Sequence, residues 1–181
     1  MYLKLLLEKR KVKKIMSKIW KEKALEKIIK PSVLEKKVQT LKAKGLRIAT
    51  LNGSFDLLHA GHLHIIYEAS KQADILIVAL NTDHSIRAYK SKLRPIVPLE
   101  YRIEMMTALA FVDYVTWFDE TTPCKILEIV KPHIHINGLE YGTECVEAEV
   151  VRQGGGKIHL VERVPGLSTT MLINKIKEVC D

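Results

Sequence analysis

Leu46-Arg47-Ile48-Ala49-Thr50-Leu51-Asn52-Gly53-Ser54-Phe55-Asp56-Leu57-Leu58-His59-Ala60-Gly61-His62 begins as a short apolar run, breaks on a small polar cluster and resumes as a helix. A run of strand length that stops at Asn-Gly reads as a buried strand over 46–51, and the stretch near 61–72 reads as the helix that follows it. The same alternation recurs downstream. Apolar runs at 74–80, 114–118, 133–137 and 157–162 are separated by helical stretches near 99–110 and 123–130 and 143–153, and a last helix follows Ser168. Strand and helix alternating five times predict an α/β fold, a Rossmann-like, doubly wound, five-stranded parallel sheet. Parallel neighbours need right-handed crossovers, and these place helices on both faces. Ligands in such sheets bind beyond the carboxyl ends of the strands, so the loops after each apolar run are where chemistry is expected.

Upstream of this body the composition changes. The chain of 181 residues carries a formal charge of +8, yet residues 1–44 hold 15 Lys or Arg against 4 Glu, and the remainder holds 14 against 17 acidic residues. The basicity belongs to a tail, which argues against a nucleic-acid-binding body. Val12, Ile15, Met16, Ile19 and Trp20 recur at helical spacing among lysines. Residues 1–30 therefore read as a basic amphipathic helical extension, suited to a weak membrane-surface or protein contact or simply folded onto the body, and 31–181 as the functional domain. A short helix is expected from Ser32 to Lys44, ended by Gly45. No apolar run is long enough to span a bilayer, and no secretory pattern opens the chain, so a cytoplasmic location is expected. Cys124, Cys145 and Cys180 are scattered and odd in number, which suggests reduced thiols and neither zinc chelation nor a disulfide framework.

The loop after the first strand carries the most chemistry. Gly53 lets backbone amides approach a phosphate, and the helix that starts near His59 offers its positive end to the same anion. His59 and His62 flank Gly61 at that start, where imidazole N–H groups can stabilise charge on a phosphoryl group; a metal pair or a core pair is the competing reading of these two residues alone. His64 has no such position and reads as surface or structural. Elsewhere, Lys90 follows the second strand and can reach phosphates, with Lys92 able to exchange roles or Lys90 merely a solvated loop lysine. Ser168-Thr169-Thr170 opens the final helix, where hydroxyls cap the helix and bind anions. Arg102 fits either an ion pair or the pocket. His133 and His135 fit a core role.

The Asn52-Gly53-Ser54-Phe55-Asp56 and His59-Ala60-Gly61-His62 sequences together resemble the signature of the cytidylyltransferase-like nucleotidyltransferases. Within that superfamily the chain is similar to the heptose 1-phosphate adenylyltransferases, the second activity of bifunctional ADP-heptose synthases. Leu93 through Arg102, Phe111-Val112-Asp113-Tyr114-Val115 and Gly166 through Thr170 fall in the family's order. The resemblance implies transfer of an adenylyl group from ATP to a sugar 1-phosphate with magnesium accompanying the triphosphate, and a homodimer is common among relatives. It implies His59, His62 and Lys90 as catalytic residues. It implies nucleotide contacts from Asn52, Gly53, Ser54, Phe55, Gly61, Asn137, Gly138, Glu140, Ser168, Thr169 and Thr170, with Asp56, Arg102 and Arg163 as further candidates, and no protein-held metal. Arg163 matches an arginine of glycerol-3-phosphate cytidylyltransferases. In the heptose enzymes the segment at 137–141 reads Lys-Gly-Gly-Asp-Tyr, so Asn137, Leu139 and Glu140 depart from it. CTP with an alcohol phosphate is therefore the enzymatic alternative, and a catalytically silent nucleotide-binding scaffold the alternative of another class.

Overall fold

A computed structural model describes residues 20–180. Most of the amphipathic stretch expected in the tail, Val12 through Ile19, lies outside the described residues. Residues 20–27 are helical, and Ile28 bridges Val115 while the Ile29 amide donates to the Val115 carbonyl at 2.9 Å, which stitches this segment to the edge of the sheet. Next come α1 (Pro31–Ala43), β1 (Ile48–Gly53), α2 (Ala60–Ser70), β2 (Ile75–Asn81), α3 (Asp83–Tyr89) and α4 (Leu99–Ala108). After these follow β3 (Tyr114–Phe118), α5 (Cys124–Val130), β4 (Ile134–Gly138), a 3-10 turn at Leu139–Tyr141, α6 (Ala148–Gln153), β5 (Lys157–Val161) and α7 (Thr169–Cys180). None of the described helices is long and apolar enough to cross a membrane.

All five strands run parallel in the order β3-β2-β1-β4-β5. The alternation within β2 explains the two-layered core: Leu76, Val78 and Leu80 point to the layer holding Ile66 and Met106, and Ile77 and Ala79 to the layer holding Leu34, Val38 and Leu127. A fully buried aliphatic side chain contributes about 1.5–3 kcal/mol, so this alternation decides which helices cover which face. In α1, Pro31 sits in the first turn, Leu34, Val38 and Leu41 form the buried stripe, and Gly45 at φ 77° ends the helical path.

Three expectations needed adjustment. The first strand lies two residues later than 46–51, because Asn52 and Gly53 continue the ladder opposite Ala79 and Leu80. The helix expected at 143–153 is only Ala148–Gln153, preceded by turns. An additional helix, α3, starts at Thr82, whose hydroxyl accepts from the Ser85 amide at 3.1 Å. Chain order reverses at β1, where β2 lies on one side and β4 on the other. That switch point opens a crevice at the carboxyl ends of the strands.

Candidate active site

The crevice is a cleft of about 780 Å³. Its floor is built from the end of β1. Gly53 passes beneath the Phe55 ring, so a side-chain carbon there would stand 3.0 Å from it, and Phe55 itself adopts φ 42°. A bulky residue held in the left-handed region costs about 1–2 kcal/mol, and here it turns the chain sharply from strand to helix. His59 caps α2: its Nδ1 accepts from the His62 amide at 3.4 Å, which leaves the proton on Nε2. The two imidazoles stack with centroids 3.8 Å apart, and Phe55 meets His62 edge-on at 5.1 Å. Gly61 makes the stack possible, because a side-chain carbon would press within 3.0 Å of the His59 ring.

Both rings are partly desolvated, and His59 Nε2 and His62 Nδ1 are buried without a hydrogen-bond partner. Burial lowers the pKa of His59; burial, reinforced by His59 and Lys90, brings that of His62 down to about 4. Two neutral imidazoles with unmet polar atoms at a helix N-terminus are arranged for an anion. Asn52 Oδ1 is also buried without a partner; as an acceptor it suits an N–H or O–H donor of a ligand.

On the β2 side, Lys90 Nζ donates to Ser54 Oγ at 2.9 Å, and desolvation together with Arg94 lowers the lysine pKa. Arg94 lines the cleft, and its Nε donates to Asp56 at 2.5 Å. Asp56 and Arg102, two of the residues singled out in the sequence, do not line the cleft. Asp56 is fully buried and also accepts from the Ile96 and Val97 amides at 2.8 Å; these bonds and Arg94 outweigh its burial and hold its carboxyl below the usual range. Arg102 is fully buried and binds the carbonyls of Val97, Ser54 and Asn81 and the Asp83 carboxylate, at 2.7–2.9 Å. Both residues act on the cleft by fixing the β1 loop.

On the opposite side stand Asn137, Gly138, Glu140 and Arg163, with Ser168, Thr169 and Thr170 at the start of α7. Ser168 Oγ accepts from the Met171 amide at 3.2 Å, so it caps α7 while the next two hydroxyl residues face the cleft. Glu140 is ion-paired with Arg163. The cleft thus gathers Asn52, Gly53, Ser54, Phe55, His59, Gly61, His62 and Lys90 with the β4 and α7 residues named from sequence. His133 and His135 lie elsewhere: His133 Nδ1 accepts from the Ile48 amide, and the fully buried His135 bonds to Thr50.

Among the lining residues not named from sequence are Arg94 and Glu147. Arg94 sits in the quoted 93–102 segment, where Arg-Pro reads as an ordinary loop. Glu147 has no sequence signal; it is buried at the base of the cleft, where its Oε2 accepts from Asn137 at 3.3 Å. Among the described residues no group of three His, Cys, Asp or Glu is placed to hold a metal ion.

Comparison with known proteins agrees with this geometry. Residues 50–175 match the family model described as cytidylyltransferase-like. The bifunctional protein HldE of Pelobacter propionicus is 40% identical over 147 residues, 81% of this chain and 30% of that protein. The HldE of Geobacter metallireducens is 40% identical over 140 residues, 77% of this chain and 29% of that protein. The chain spans under a third of the length of these curated relatives. A crystal structure of the lipopolysaccharide core biosynthesis protein from Thermoplasma volcanium is 28% identical with a TM-score of 0.54, covering 66% of this chain and 98% of that one. With a five-stranded parallel sheet, paired histidines at the start of α2 and a family match over most of its length, the chain belongs to the cytidylyltransferase-like family of nucleotidyltransferases.

Proposed function

We propose that residues 31–181 transfer the adenylyl group of ATP to a sugar 1-phosphate, D-glycero-beta-D-manno-heptose 1-phosphate, giving ADP-heptose and pyrophosphate. The observation that carries the reading is the stacked His59–His62 pair, with two unmet ring nitrogens at the α2 N-terminus, in a chain 40% identical to HldE proteins. The acceptor's phosphate is already ionised, so its oxygen attacks the α-phosphorus without a general base. The bond from that phosphorus to the pyrophosphate oxygen breaks on the opposite side. His59, His62, Lys90 and the α7 N-terminus align the phosphates and stabilise the charge that shifts between them. Because the neutral His62 faces an arriving triphosphate of high charge, the ligand's field raises its proton affinity, and binding draws a proton onto the ring that then donates. Magnesium belongs to the triphosphate and its waters, the usual arrangement for this ion. Glu140, Glu147 and Glu162 line the β4–β5 side, but among the described residues no three potential ligands converge, so no step is assigned to a resident metal.

Asn137, where the heptose enzymes carry lysine, and Arg163 at the cleft favour the second reading, CTP with glycerol 3-phosphate or another alcohol phosphate. Pyrophosphate release measured for ATP and CTP against heptose 1-phosphate and glycerol 3-phosphate separates the readings. Turnover is expected with ATP and the heptose ester. Faster turnover with CTP and glycerol 3-phosphate overturns the first reading, and ATP binding without any turnover in the panel favours a silent scaffold.

A further inference from the structure

The second anion pole of the cleft has no assigned ligand. Arg94 lies on the segment between α3 and α4, its side chain 15% exposed. Its Nε is committed to Asp56, which is wholly buried and saturated by Arg94 and the Ile96 and Val97 amides. The Nη2 group is buried and has no partner among the described residues. A charged donor left unmet in a folded interior costs more than a neutral one and needs an explanation. The surroundings supply one. Lys90, Arg94 and Arg102 crowd together, and the pKa of Lys90 is depressed by its desolvation and by both arginines. Asp56 and Asp83 are the carboxylates bonded to this group, and Arg102 spends its hydrogen bonds on Val97, Ser54, Asn81 and Asp83. The free hydrogen-bonding capacity of this cationic group is therefore concentrated on Arg94 Nη2 and on Lys90.

We propose that Arg94, oriented by Asp56, holds the phosphate of the acceptor. The inference rests on the nucleotidyl-transfer reading and assigns the two anionic substrates to opposite ends of the cleft. In-line displacement requires the attacking oxygen and the leaving pyrophosphate to lie on opposite sides of the α-phosphorus. The sheet order provides two such sides: β2, with the Lys90–Arg94 segment following it, flanks β1 on one edge, and β4 and β5, leading to the α7 N-terminus, lie on the other. The pyrophosphate belongs with the α2 and α7 helix ends and the acceptor phosphate with Arg94. Lys90, anchored to Ser54 in the β1 loop, stands between them. A planar guanidinium anchored through Nε to Asp56 holds both amino groups in set directions, a geometry that suits a phosphate oxygen and that a lysine ammonium cannot reproduce.

The test compares Arg94→Lys with Arg94→Met. Lysine keeps a cation against the buried Asp56 carboxylate, so it guards against simple loss of folding. Steady-state pyrophosphate release should show the KM for the phosphorylated acceptor raised about ten- to a hundred-fold, the energetic equivalent of one charge-assisted hydrogen bond, with the ATP KM unchanged. An equal or larger rise in the ATP KM overturns the assignment, as does unchanged KM for both substrates in a folded variant. A second readout does not depend on knowing the acceptor. Protein saturated with the non-cleavable analogue AMPCPP is titrated with inorganic phosphate and followed by 31P line broadening. Wild type should broaden the phosphate signal and Arg94→Lys should not; equal behaviour of the two overturns the proposal even if no acceptor in the panel turns over. Failure of the panel with the phosphate effect intact counts instead against the substrate reading.

Discussion

The two walls of the cleft are built to different standards. On the β1–β2 side, Asp56 and Arg102 have no exposed surface, and each is tied to several partners at 2.5–3.0 Å. On the β4–β5 side the polar contacts are fewer and looser: Glu140 and Arg163 pair with 32% and 60% of their side-chain surface exposed, and the buried Asn137 meets Glu147 at a long 3.3 Å. Buried, many-partnered groups hold a geometry, whereas exposed pairs contribute little to stability and rearrange at small cost. On the proposed reading the stiff wall holds the β1 loop and the acceptor phosphate, and the wall that departs from the heptose pattern at 137–140 is the adaptable one.

The largest expected effect breaks the stiff wall. Arg102→Met keeps an unbranched side chain but strands three backbone carbonyls and the Asp83 carboxylate. Asp83 retains some solvent contact, so the cost is set mainly by the carbonyls, and denaturant unfolding should register about 3–5 kcal/mol. The same change at Arg163 removes a partly exposed pair and should register less than about 1 kcal/mol. Similar losses at the two positions would mean that the contrast between the walls is not real.

Next comes the reacting centre. His62→Ala should lower kcat on the order of a hundred- to a thousand-fold with folding intact, as loss of one donor to a developing oxyanion does; near-normal turnover would remove His62 from the chemistry. The same residue sets a pH dependence. Its folded pKa of about 4 lies below the value of 6.5 it has when free, as does that of His135, each chiefly through burial. The neutral forms are favoured by folding, so this stability is fully present above pH 6.5 and is lost as the pH falls toward 4. Thermal unfolding of the apo protein should decline over that window, and less steeply in His62→Asn. ATP binding, which draws a proton onto His62, should show proton uptake when calorimetric heats are compared in buffers of different ionisation enthalpy. Zero uptake below pH 7 would contradict the ligand-coupled protonation.

What could be read from sequence follows the same division. The parallel sheet was legible because β2 and its counterparts are apolar runs of five to seven residues separated by helical stretches, and the β1–α2 turn because glycine and paired histidines meet at one strand end. The clasp that ties Arg94 to Asp56 and Arg102 to Ser54 was not, since these pairs lie 38 and 48 positions apart along the chain and meet only once the sheet has formed. Helix α3 escaped because seven residues are too few to display helical periodicity. Glu147 fell within the helical stretch expected at 143–153; the helix starts one residue later, and the side chain turns inward to Asn137. Local patterns announce elements and caps, whereas buried charge networks depend on which elements become neighbours.

The smallest expected effect probes the adaptable wall. At Gly138 a side-chain carbon would fall 2.3 Å from Glu140 Oε2 and 2.5 Å from Oε1. The obstacle is the far end of a flexible side chain, so Gly138→Ala should be accommodated by swinging Glu140 away from Arg163 with no backbone shift. Only a partly exposed ion pair is lost, and unfolding free energy should change by less than about 1 kcal/mol. On the proposed reading, in which Glu140 contacts the nucleotide, the KM for the triphosphate should still rise by roughly two- to tenfold, the worth of about one hydrogen bond. Gly156→Ala is the control for this argument: its added carbon would meet the Pro132 carbonyl at 2.2 Å, an obstacle in the backbone that cannot swing aside. That variant should lose stability with no selective change in KM. If Gly138→Ala instead resembles Gly156→Ala, the β4–β5 wall is as rigid as the β1–β2 wall, and the departures at 137–140 alter structure before they alter recognition.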